Sequence, residues 1–233
     1  MNLLLTNDDG IDAPGLAALR EAAAELRPAR MVTVAPAGPM SECGHRVTTG
    51  EAIRVERRGA DEIAVHGSPA DCSRIALRGG ILPGFEPDWV LSGINRGGNL
   101  GVDVHYSGTV AAAREARILG VRSMAISHYL RRGLEVDWAA AARRAAAAMR
   151  ELLEEMLEEG EFWNINLPHL EKNAPDPDIG RCERGRMPLP VRFAAAGDEA
   201  LQYVGVYAER GFETGSDVDV CFGGRISATK TRV

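Results

Sequence analysis

An α/β fold built on a mostly parallel sheet is the architecture this sequence predicts, and three observations carry the prediction. Short apolar runs suited to buried strands alternate with longer stretches of helical periodicity through about residue 168. The chain opens strand–helix–strand, which implies a right-handed parallel crossover. Polar and glycine-rich segments follow several of these strands. A parallel sheet gathers such segments at its carboxyl edge, where ligands of these folds bind.

The elements follow in order. Leu3 to Leu5 form the first strand, which ends in Thr6-Asn7 and delivers Asp8, Asp9 and Gly10. Leu16, Leu19, Ala23 and Leu26 then recur at helical spacing, with Asp12 as the expected N-cap and Pro14 in the first turn. Met31 to Ala35 is the second strand. The loop APAGPMSECGHRV, residues 35–47, leaves its carboxyl end bearing Ser41 and His45. AIRVE and EIAVH read as two strands about a turn at 58–61. Ser68 caps, and Pro69 opens, a helix through Cys72, Ile75, Ala76 and Leu77.

The strand at 88–92 runs into GINRGGNLG, four glycines in nine residues, a loop whose backbone can approach a ligand closely. Its spacing is neither the dinucleotide fingerprint nor a P-loop. Ser107-Gly108-Thr109 enters the next helix, so hydroxyls and free N–H groups stand at its positive end, as in an anion cradle. A strand at 121–127, a long helix at 137–159 with an apolar stripe that begins at Trp138, and a strand at 162–167 complete the pattern. From about Glu171 proline and charge become frequent, and the alternating LQYVGVYAE follows. The chain thus divides into an α/β core, residues 1–170, and a strand-rich excursion, residues 171–233. The excursion is expected to serve subunit contact or to form a lid, and to end in a turn of helix and a strand returning to the core.

Composition narrows the classes. A formal net charge of −6 argues against a surface built to grip a nucleic-acid duplex. The four cysteines, Cys43, Cys72, Cys182 and Cys221, form no CxxC pair and no disulfide framework, which points to reduced thiols and a cytoplasmic setting. The N-terminus lacks the basic region of a signal peptide, and no run approaches the ~20 apolar residues that span a bilayer.

Two adjacent aspartates at a strand end are a costly arrangement. Like charges at ~4 Å repel by roughly 4 kcal/mol at an effective dielectric of about 20. Either the side chains diverge into water, as Asp-Gly turns allow, or a cation lies between them. Ser41 and Asn95 come to the same edge on other loops. Carboxylates, a hydroxyl and an amide oxygen are hard ligands suited to one divalent ion, Mg²⁺ or Mn²⁺. A divalent cation beside an anion cradle is apparatus for hydrolysing a phosphate ester.

TNDDGIDAPGL, the Ser41/His45 loop, GSPADC, SGINRGGNLGVDVHYSGTVAAAREA and NINLP together resemble the SurE family, the stationary-phase survival protein E phosphatases. The resemblance covers most of the chain through about Pro168 and returns in the last strand. It implies a Rossmann-like three-layer α/β core, one divalent metal, and hydrolysis of nucleoside monophosphates to nucleoside and phosphate, a 5′/3′-nucleotidase activity. Carried over by residue, it implies metal ligands at Asp8, Asp9, Ser41 and Asn95, and phosphate contacts at Asn99, Ser107, Gly108 and Thr109. Homodimers or homotetramers, built partly through the segment after Glu171, are implied as well. This sequence departs from the family pattern at Glu42 and Cys43, where small residues are usual; a carboxylate there would adjust metal affinity.

On this reading Asp8 or Asp9 positions or deprotonates an attacking water, with Asp8 as direct nucleophile the second mechanism. His45 is a candidate general acid, and Tyr106 and Phe212 are candidates to stack a base. The alternative from a different class is a non-catalytic nucleotide-binding regulatory module using the same loops. A haloacid-dehalogenase-type phosphatase ranks lower, because its first strand carries D-x-D rather than D-D.

Overall fold

Successive residues of a strand face opposite sides of its sheet, and the first strand uses both. In the computed structural model, which describes residues 1–41 and 43–233, β1 (Asn2–Thr6) lies in the middle of the main sheet. Leu3 and Leu5 pack into one core and Leu4 into another, each essentially without solvent contact. The first core holds Leu16 and Leu19 of α1 (Pro14–Ala24) and Ala145, Met149 and Leu152 of α4 (Trp138–Leu152). The second holds Cys72 and Ala76 of α2 (Pro69–Arg78) and Ala116 of α3 (Gly108–Ile118). Helices therefore cover both faces, the three-layer α/β arrangement expected.

Among the described residues the main sheet has nine strands. They are β2 (Arg30–Pro36), β3 (Val55–Gly59), β4 (Glu62–Val65), β5 (Trp89–Arg96), β6 (Arg122–His128), β7 (Glu161–Leu167), β8 (Ile179–Arg181) and β11 (Ile226–Arg232), with β1. Their spatial order is β3-β4-β2-β1-β5-β6-β7-β11-β8. Neighbours from β4 to β7 pair parallel; β3 pairs antiparallel with β4, and β11 antiparallel with β7. Order reverses across β1, so the crevice outside its carboxyl end is the switch point of the sheet.

The region after residue 171 supplies β8, a two-stranded hairpin of β9 (Phe193–Ala195) and β10 (Leu201–Tyr203), the short helix α5 (Asp217–Phe222), and β11. It is tied to the core by a buried cluster. Arg210 Nη1 donates to Asp103 Oδ2 at 2.7 Å, the Tyr207 hydroxyl donates to the same oxygen, and Asp217 accepts the N–H groups of Gly101 and Gly185. Burial, with the Asp103 carboxylate beside it, pushes the Tyr207 phenol well above its usual range.

Several boundaries differ from expectation. Asp12 does not cap α1: Ala13 holds the cap position, and Asp12 lies in solvent paired with Arg58 at 2.7 Å. The long helix ends at Leu152 rather than 159, and AIRVE is extended only from Val55. β5 runs on to Arg96, so Asn95 stands on a strand rather than in a loop. The pairing of β5 with β6 slips between Ser92 and Asn95. At Gly93 (φ +143) a Cβ would stand 2.2 Å from Ile126 O, so only glycine admits this close approach.

Candidate active site

The carboxyl ends of β1, β2 and β5 and the start of α3 surround one spot. Asp8 is 5% exposed, and its Oδ1 accepts the Thr109 hydroxyl. The Thr109 N–H points to the same carboxylate. Gly108 makes the approach feasible, since a Cβ there would lie 2.8 Å from Asp8 Cβ and 3.1 Å from Cys43 Sγ. Burial, reinforced by the negative Asp9 and only partly opposed by Thr109, raises the Asp8 carboxyl to about 6. Burial beside Asp8 likewise raises the Cys43 thiol. No basic side chain among the described residues forms an ion pair with Asp8 or Asp9.

Asp9 is half-buried, and its Oδ2 accepts the Arg96 N–H at 3.0 Å. Asn95 donates its amide Nδ2 to Gly97 O at 2.8 Å, which leaves Oδ1 directed away as an acceptor. Ser41 is exposed, and its loop is drawn to the site by Met40 N donating to Asp8 O at 2.8 Å. Two carboxylates, an amide oxygen and a hydroxyl are thus the donor set near the switch point. Among the described residues no third carboxylate, imidazole or thiolate completes a cluster with them. A desolvated carboxylate beside a second one, with no cationic side chain to answer it, fits a hard divalent ion whose remaining ligands are neutral oxygens. Glu42, read as tuning that affinity, lies outside the described residues.

The phosphate residues separate into two kinds. Ser107 caps α3, its Oγ accepting Val110 N at 3.0 Å, and so retains a hydroxyl hydrogen to donate. The Gly108 N–H is in the first turn, outside the helical ladder. Thr109 is engaged with Asp8. Asn99 is buried: Nδ2 donates to Ser127 Oγ at 2.7 Å, the backbone N–H to Asn166 Oδ1, and the carbonyl accepts from Asn164 and Asn166. Asn99 therefore holds the Gly-rich loop onto β6 and β7 and keeps one amide hydrogen for a ligand. The last two asparagines belong to NINLP, whose role as a clamp on this loop gives no periodic signal in the sequence.

His45 is braced on both nitrogens. Nε2 lies 2.8 Å from Glu115 Oε2 and Nδ1 lies 3.4 Å from Arg114 Nη1. This holds the Ser41 loop to α3 and leaves the ring no free position for delivering a proton. A second brace comes from GSPADC, beyond its role as the capped start of α2. Asp71 accepts Thr48 N at 2.9 Å, Thr48 Oγ1 at 2.8 Å and Ser68 N at 3.0 Å. Burial opposes ionisation of Asp71, but these bonds outweigh it and hold its carboxyl below the usual range. Tyr106 is exposed just ahead of Ser107, whereas Phe212 packs edge-on to Phe222 and away from the aspartates.

Residues 3–187 match the family model for survival protein SurE. A Synechocystis protein provisionally named a 5′-nucleotidase is 49% identical over the whole of both chains. The 5′-nucleotidase SurE of Symbiobacterium thermophilum is 42% identical across 97% of this chain and 90% of its own. The crystal structure of the SurE protein from Aquifex aeolicus superposes with a TM-score of 0.86 at 34% identity, covering 100% of this chain and 93% of that one.

Proposed function

The chain belongs to the SurE family, and on that premise we propose that it is a metal-dependent phosphomonoesterase that hydrolyses nucleoside monophosphates to nucleoside and phosphate. The observation that carries the reading is the buried Asp8 facing the N-terminus of α3, with Asp9 beside it and no cationic side chain between them. Asp8, Asp9, Ser41 and Asn95 would hold one Mg²⁺ or Mn²⁺. When bound, such an ion supplies positive charge to a phosphoryl oxygen and acidifies water.

The chain's own groups divide the remaining work. Ser107 Oγ–H and the Gly108 N–H donate to phosphoryl oxygens, with the α3 dipole behind them. Asp8 orients the attacking water and receives its proton, while Thr109 fixes the Asp8 rotamer. Asn164 and Asn166 keep Asn99 and the Gly-rich loop in register. Nothing in this arrangement favours the non-catalytic reading.

The same premise supports a homodimer or homotetramer and a cytoplasmic location. Phe193, Leu201 and Tyr203 of the β9–β10 hairpin are exposed, and a bare two-stranded hairpin is marginally stable in water. No described helix is long and apolar enough to cross a membrane. The test is phosphate release from a panel of nucleoside monophosphates with Mg²⁺, with Mn²⁺ and with a chelator. Release that depends on the ion is expected; the absence of any release refutes the reading.

A further inference from the structure

Asp8 and Asp9 have different surroundings at the switch point. Asp8 meets the polar start of α3. Asp9 borders a cleft of about 370 Å³, walled also by Ile11, Asp12, Pro14, Pro39, Arg96 and Trp138. That volume is in the range of small-molecule sites, roughly 300–1,000 Å³. Larger clefts lie over residues 36–54 and 65–67, between His128 and Ala174, and beside Trp163 and Lys230, but none is bordered by either aspartate.

Trp138 is the first residue of α4 and is half-buried, packed partly against the core. Its ring reaches the first turn of α1 because Gly15 has no side chain: a Cβ there would lie 3.1 Å from Trp138 Cη2 and 2.0 Å from Ile94 O. Arg96 is exposed on the other side of the cleft, and its guanidinium has no carboxylate partner among the described residues. An aromatic face and an unpaired planar cation, walled by prolines and small residues, recognise a flat heteroaromatic ring.

Phosphoryl transfer adds a directional constraint, since the entering and leaving oxygens lie roughly in line across phosphorus. The leaving group departs on the face of phosphorus away from the attacking water, and the cleft bordered by Asp9 is open space beside the two aspartates. We propose that the Asp9 cleft seats the nucleobase of the leaving nucleoside, stacked on Trp138 with Arg96 at its edge, so that these two residues set the preference for nucleotides over other phosphomonoesters. This inference rests on the phosphomonoesterase reading above.

The test compares AMP with ribose 5-phosphate, which has the same phosphate and sugar but no base. In Trp138→Leu, which keeps an apolar contact to Gly15, the kcat/KM preference for AMP should fall roughly five- to hundredfold, the span expected for one stacked base. A second measurement uses the folded wild-type chain. Trp89 and Trp163 are each 1% exposed, so Trp138 alone of the three tryptophans can meet a ligand. Titration with adenosine should quench tryptophan emission, and Trp138→Phe should abolish that quench. An unchanged preference, or emission insensitive to adenosine, overturns the inference. If wild type hydrolyses neither substrate, the phosphomonoesterase reading fails on its own, and the adenosine titration still decides the cleft.

Discussion

The Thr109 hydroxyl donates to Asp8 Oδ1 across 101 residues of chain, joining the end of β1 to the first turn of α3. Even with this bond, burial raises the Asp8 carboxyl to about 6, from an ordinary value of 3.8. The folded chain therefore holds a proton that the unfolded chain has released. Stability of the metal-free protein falls as pH rises from about 4 to about 6, by about 2–3 kcal/mol from this group. Asp8→Asn removes that loss. In chelator at pH 7 to 8 the variant should melt several degrees above wild type, the gap should close near pH 4, and turnover should be abolished. Thermal melts across this pH range check the first two outcomes.

Gly108 is where the two elements meet most closely. Alanine there would place a Cβ 2.8 Å from Asp8 Cβ and 3.1 Å from Cys43 Sγ. Overpacking of this kind costs about 1–3 kcal/mol. Any shift of α3 also moves the Ser107 and Gly108 donors. Gly108→Ala should lower kcat at least a hundredfold while the protein remains folded by circular dichroism. Activity near wild type would show that the close approach has no bearing on catalysis.

Much of this site was legible in the chain because it lies where one kind of element ends and another begins. An apolar run too short for a helix, then two aspartates and a glycine, marks a strand end, and Ser107 before an alanine-rich run marks a helix start. Periodicity reports which face of an element is buried, and it placed Trp138 correctly in the α4 stripe. It does not report how far the start of a helix projects past the sheet edge, so the Asp9 cleft was not visible. Nor were long-range pairs such as Asp8–Thr109, Asp71–Thr48 or Asn99–Asn166, which depend on register between distant segments. Asp12 lies one residue ahead of the cap position held by Ala13 and pairs in solvent with Arg58, a register of the turn that residue type alone does not report.

His128 contributes a pH dependence of opposite sign to Asp8. Burial holds its imidazole down to about 4, with His169 and Arg144 adding to the shift and the bond from Nδ1 to Tyr129 O opposing it. Between about pH 6.5 and 4 the unfolded chain binds a proton that the folded chain refuses. Stability from this group, about 2–3 kcal/mol, is present above pH 6.5 and lost as pH falls through that window. His128→Asn, which can still donate to Tyr129 O, should flatten the acid side of the stability profile. Chemical denaturation at pH 5 and pH 7.5 measures the slope.

Among the described residues, the β9–β10 hairpin pairs with no other strand, and Leu201 is 72% exposed. If a second copy covers it, Leu201→Glu with Phe193→Asp should shift the protein toward monomer in light scattering after size exclusion. Monomer fold and metal binding should persist, because the Arg210–Asp103 pair that anchors this region lies elsewhere. A wild-type protein that is already monomeric at tens of micromolar rules the interface out.

The braced His45 separates two roles by experiment. As a proton donor to the leaving oxygen it would leave its signature on the basic limb of the rate profile, and aryl phosphates with acidic leaving groups would be insensitive to its loss. As a brace between Glu115 and Arg114 it acts on both substrate types alike, through the placement of Ser41. Both ring nitrogens are engaged, so the brace is the expected result. His45→Ala should lower kcat by a similar factor, about tenfold, on nucleoside monophosphates and on a nitrophenyl ester, with the basic limb unmoved. It should also weaken the metal dependence and lower the melting temperature, because Glu115 is left buried with only Arg74, at 3.6 Å, for a partner. A loss confined to substrates with poor leaving groups would instead make His45 the acid.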